Sequence, residues 1–149
     1  MNEAQWRAME GRYEQSPLHR ALGMTLAISG PGQAEVHYDG NPTALNRNGV
    51  VAGGSLSAMI DSAVMQACRT LLHPDDRATT IELKVNFLAP AGREKLRTTA
   101  SLEHVGRRTC VGYARTQTLD GRLVAIGIVS AAVARERETQ QAPVEGTRP

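Results

Sequence analysis

Residues Asn46 to Leu72 read NRNGVVAGGSLSAMIDSAVMQACRTLL, and this stretch decides the fold. A turn-rich approach, Asn46-Arg47-Asn48-Gly49, runs through Val50-Val51-Ala52 to the pair Gly53-Gly54. The spacing predicts a helix that opens near Ser55 and is stopped by Pro74, whose ring cannot continue it. At about 3.6 residues per turn, Leu56, Ile60, Ala63, Val64, Ala67 and Leu71 share one side, the expected core face. Ser62, Gln66, Arg69 and His73 form the stripe expected to meet solvent. Asp61 belongs to neither, and its row is Ser57, Met65, Cys68 and Leu72. An acid among small and apolar neighbours loses hydration, and its charge needs a partner. It reads either as a boundary Asp bonded to a hydroxyl or backbone N–H, or as a working carboxylate at a cleft.

The glycines bear on that choice. Two glycines at a helix start let another backbone or a ligand come close. The free N–H groups there point outward, and the helix dipole favours negative charge. Such a terminus can hold a developing oxyanion. Asp61 lies about two turns further in, which the reading takes as close enough to serve the same bound carbonyl. Tight packing of loop on strand accounts for Gly53-Gly54 equally well.

The pattern Asn46, Gly49, Ala52, Gly53, Gly54 and then Asp61 resembles that of the hotdog-fold acyl-CoA thioesterases, in the phenylacetate-degradation branch. The resemblance implies an α+β fold in which an antiparallel sheet wraps one long central helix. It implies a catalytic carboxylate at Asp61, a water- or carbonyl-placing amide at Asn46, and a polarising backbone N–H at Gly53, with Gly54 beside it. It also implies a homo-oligomer, a dimer or tetramer of dimers, with sites between the helix of one subunit and strands of another. The segment Asn86-Phe87-Leu88-Ala89-Pro90-Ala91 and the turn Gly106-Arg107-Arg108 match later strands of the family. Substrate contacts are therefore expected at Asn86, Phe87, Arg107 and Arg108, and Thr80 falls where relatives place a hydroxyl near the catalytic water. The chain departs from the pattern at Ala52, where the family usually has His, so any hydrogen bond from that His is missing.

Length and composition agree with one domain. The 149 residues suffice for a real core. Residues 1–136 are expected as a single domain with an N-terminal helical segment. Residues 137–149, charged, Gln-rich and Pro-containing, are expected as a disordered tail. No apolar run is long enough to span a bilayer, and the acidic N-terminus is no signal peptide, so a cytoplasmic location without membrane attachment is expected. Cys68 and Cys110 read as reduced, buried fillers, and their spacing with the His residues gives no metal pattern. A net charge of +2, with one Trp, one Phe and three Tyr, argues against nucleic acid. No cofactor is expected beyond the CoA carried by the substrate.

The flanking elements follow from periodicity. Residues 3–13 read as an amphipathic helix with Trp6 at the core edge, and Ser16-Pro17 begins a short helix that Gly23 ends. Strands are expected at 24–29, 33–38, 78–88, 94–104, 109–118 and 122–134, the last buried on both faces. Arg107 and Arg108 suit CoA phosphates, or form a solvated hairpin turn. Hydrolysis of an acyl-CoA thioester is the first functional expectation. A non-catalytic or weakly active acyl-CoA-binding protein is the alternative, supported by Ala52. Hydratases of this fold carry His five residues after the Asp, where this chain has Gln66.

Overall fold

Apolar alternation and helix period together place the elements, and the computed structural model describes them over residues 1–135. The expected tail, 137–149, lies outside the described residues. In chain order they are α1 (Glu3–Gln15), α2 (Pro17–Leu22), β1 (Met24–Gly30), β2 (Gln33–Tyr38), α3 (Gly53–Arg69), β3 (Arg77–Phe87), β4 (Leu96–Val105), β5 (Thr109–Thr118) and β6 (Leu123–Ala134), with a short 3₁₀ turn at Pro42–Ala44. All strand pairs are antiparallel, and the sheet order is β1-β2-β4-β5-β6-β3. The sheet wraps α3, which packs on strands β2 to β6, the hotdog α+β arrangement.

The helix is buried along most of its length. Leu56, Met59, Ile60, Ala63, Val64 and Ala67 are each at most 4% exposed. It lies close to the sheet because each of two central strands has a glycine beneath it. A Cβ at Gly112 would stand 2.5 Å from Val64 Cγ1, and one at Gly127 would stand 2.7 Å from Ile60 Cγ2. Such distances are below any real contact, so both positions require glycine.

Three expectations are corrected. First, α3 starts at Gly53 rather than Ser55 and ends at Arg69, well before Pro74. The Thr70 hydroxyl donates to the Ala67 carbonyl at 2.7 Å and accepts from Gly32 N at 2.7 Å, which closes the helix early. The tightened last turn swings Leu71 out to 41% exposure and Leu72 into the core. Second, Ser62 is not on a solvent face. It is 9% exposed beneath the N-terminal helices, and its Oγ lies 3.4 Å from His19 Nε2. Third, β6 is not buried on both faces, since Ile128 is 46% exposed. Helix α3 covers one face of the sheet only. At α2 the expectation holds, with Ser16 at the N-cap and Pro17 at the first position, although the Ser16 side chain makes no capping bond.

Strand β3 forms one edge of the sheet. Ile81, Leu83, Phe87 and the following Leu88 are exposed, and the register shifts between Thr80 and Glu82. A long edge with exposed apolar side chains is a template for pairing with another chain. Cys68 and Cys110, distant in sequence, meet in a small second core cluster with Met65, Leu72, Ala131 and Val133. Their mutual hydrogen bond holds the Cys68 thiol below its usual range, whereas the same bond and burial push Cys110 up.

Candidate active site

The expected residues fall into three places. The first is the middle of α3. Asp61 is half-buried, and the Thr80 hydroxyl donates to its Oδ1 at 2.7 Å. Thr80 reaches it because β3 lies beside the helix and the backbone shift after Thr80 sets that side chain inward. The bond occupies one carboxylate oxygen. Tyr13 of α1 lies on the other side: burial pushes its hydroxyl up to about 12, a hydrogen bond from Ser62 pulls against this, and the Asp61 charge adds to the rise. His19 stacks on the Tyr13 ring with centroids 3.7 Å apart, and its Nδ1 lies 2.9 Å from the Tyr13 carbonyl. That carbonyl can only accept, so Nδ1 carries a proton, and Nε2 lies 3.4 Å from the Ser62 hydroxyl oxygen. Sequence reasoning missed this Tyr13–His19–Ser62 group, because nothing in the sequence says which helix face the N-terminal segment covers.

The second place is the start of α3. Ala52 is the N-cap and offers no side-chain bond to the first turn, so the early N–H groups have no intrahelical acceptor. Gly53 and Leu56 line a cavity of about 330 Å³ with Phe87, Leu88 and Pro90. The Phe87 ring lies over Gly53, where a Cβ would stand 3.1 Å from Phe87 Cζ. Gly54 has nothing within 4 Å of its Cβ position and faces open space. Asn46 is exposed. Its Oδ1 accepts from Asn48 N at 2.9 Å and closes its own turn, and no hydrogen bond joins it to Asp61. Asn86 lies exposed on the β3 edge, paired in register with Ile126.

The third place is the turn between β4 and β5. Arg107 and Arg108 are exposed there, and Val133 N donates to the Arg108 carbonyl at 2.8 Å. Register places this turn beside the far end of α3, since Cys110 packs against Cys68 and pairs with Ala131. The two arginines are therefore remote from Gly53 within one chain.

Gly53 and Asp61 also lie apart. Eight residues along a helix amount to about 12 Å of rise and about 80° of rotation. A carbonyl bonded to the Gly53 N–H cannot touch Asp61 of the same chain, which corrects the expectation of one shared carbonyl. Among the described residues, no group of three His, Cys, Asp or Glu side chains is placed to hold a metal, and no helix is long and apolar enough to cross a membrane.

The model of the thioesterase superfamily matches residues 48–125, which include Gly53, Asp61, Thr80, Phe87, Arg107 and Arg108 but not Asn46. No curated protein matches the chain. Among solved structures, a conserved protein of Pseudomonas aeruginosa is 30% identical with a TM-score of 0.75, covering 80% of this chain and 94% of that one. The PaaI protein from the phenylacetic acid degradation operon of E. coli is 24% identical with a TM-score of 0.76, covering 85% and 91%. A thioesterase from Haemophilus influenzae is 18% identical with a TM-score of 0.80, covering 87% and 90%. The last two likenesses are of fold.

Proposed function

Because the chain belongs to the thioesterase superfamily, we propose that it hydrolyses an acyl-CoA thioester to the free acid and CoA. The observation that carries this reading is the half-buried Asp61 carboxylate, held through one oxygen by Thr80. The other oxygen is left for a water or for the thioester carbon. As a general base, Asp61 takes a proton from water as the water adds to the carbonyl. As a nucleophile, it forms a mixed anhydride that water then opens. In either route the C–S bond breaks, and the thiolate leaves as CoA. The Gly53 N–H, with Gly54 beside it, stabilises the oxyanion from the positive end of α3.

The separation of Gly53 from Asp61 calls for two copies of the chain. In this reading Asp61 and Thr80 come from one copy, and Gly53 and Asn46 come from the other. The exposed β3 edge supplies the contact, with Ile81, Leu83 and Phe87 covered on assembly. Phe87 and Asn86 then border the acyl group, and the arginine turn meets CoA phosphates. A second reading, acyl-CoA binding without turnover, is favoured by one observation: Ala52 gives the helix start no side-chain bond.

A thiol-release assay over a panel of acyl-CoA substrates tests the proposal, with calorimetry of CoA binding on the same sample. Release with turnover is expected from a dimer or larger assembly. Binding without release supports the second reading. A stable, active monomer in sedimentation overturns the two-copy site.

A further inference from the structure

The largest cavity among those described lies away from Gly53. It occupies about 600 Å³ between the N-terminal helices, the C-terminal half of α3 and the first residues of β3. That is the size of a small-molecule pocket. Three arginines from three different elements line it: Arg12 of α1, Arg69 of α3 and Arg77 of β3. None of the three has an ion-pair partner among the described residues. Asp76 is the one acid in the wall. Its carboxylate is already engaged, with Arg135 Nη1 at 2.8 Å and His73 N at 3.1 Å.

Three guanidinium groups that share one cavity repel each other, and each keeps its planar fork of donors available. A single anion with several oxygens would relieve the repulsion and pair with two forks at once. The remaining wall mixes apolar Met9 and Leu72 and the stacked Tyr13–His19 pair with neutral polar groups at Ser16, Gln66 and Thr79. We propose that this chamber binds the phosphate groups of a phosphate-bearing small molecule through Arg12, Arg69 and Arg77. The phosphates have two possible sources: the nucleotide end of CoA, or a separate phosphate metabolite. The three arginines are not used in the hydrolysis reading, although Tyr13, beside Asp61, also lines the chamber, and only the CoA source rests on that reading.

Isothermal titration calorimetry on the full chain tests it, with pyrophosphate, CoA and pantetheine as probes. Wild type should bind pyrophosphate in low salt. Arg12→Gln and Arg69→Gln should each weaken that binding by about tenfold, the worth of one charge-assisted hydrogen bond. Arg97→Gln, on exposed β4 away from the chamber, should leave it unchanged. A parallel loss for CoA, with pantetheine unaffected, identifies the nucleotide of CoA as the source. A loss for pyrophosphate alone identifies a separate phosphate ligand. No binding of pyrophosphate or CoA, or the same loss in Arg97→Gln as in the chamber variants, overturns the proposal. The three arginines are exposed, and melting curves of each variant check that the fold is kept.

Discussion

The two ends of α3 present different kinds of hydrogen-bond donor. At the N-terminal end the cavity beside Gly53 is walled by apolar side chains, and its polar groups are backbone amides. At the C-terminal end the chamber is lined by arginines, and the helix dipole there favours cations such as Arg69. Amides at a helix start suit charge that appears only briefly, because they cost little in its absence. Guanidinium groups suit charge that is always present. Asp61 sits between these ends, held by a neutral hydroxyl rather than by a cation.

The largest way to break the comparison is Asp61→Asn. It keeps the shape and can still accept from Thr80. Turnover should fall by about two to four orders of magnitude, while the melting temperature holds or rises slightly. Both are measured on one sample, and full activity removes the catalytic role. Next comes the N-terminal end. Gly53→Ala pushes on Phe87 and should cost up to about a hundredfold in turnover. Gly54→Ala meets open space, so it should keep activity and raise the melting temperature through helix propensity. Equal losses in the two variants would mean that Phe87 does not matter. Thr80→Val removes one charge-assisted bond, and about a tenfold loss in turnover is expected from steady-state kinetics. The smallest effect belongs to the β4–β5 turn. Arg107→Ala and Arg108→Ala should raise KM several-fold for acyl-CoA and little for a short thioester without the nucleotide, roughly the worth of an exposed charge contact. Matching changes for both substrates would take the phosphate role from the turn.

Much of this was legible in the sequence. The 3.6-residue period placed Asp61 between faces, and the structure puts it half-buried with a hydroxyl partner. That partner satisfies the bland reading of a boundary acid as well as the sharp one, so the carboxylate's work is a matter for the Asp61→Asn experiment. Strand periods placed β2 and β5 to the residue, because one of their faces is covered and alternation is then strict. The same pattern misleads at β3. Alternating apolar residues look alike whether or not they cover their own core, and Ile81 at 61% exposure does not. The Ser62 stripe looked solvated because its cover, α1 and α2, comes from a segment distant in sequence. The chamber escaped notice for that reason too: Arg12, Arg69 and Arg77 are unremarkable singly, and only folding brings them to one wall.

Gly112 and Gly127 act on α3 as keyways act on a shaft. Val64 and Ile60 seat in the two gaps, so the helix can neither slide along the sheet nor turn on its axis without climbing out. The pitch and phase at which Asp61 faces Thr80 are thus indexed by two residues that have no side chain and take no part in any reaction. A methyl group in either slot would lift the helix by about 1 Å, a displacement of the order that costs a hundredfold in a positioned reaction. The alignment tolerance of this site is held in the middle of the sheet, at positions that a survey of chemically active residues would pass over.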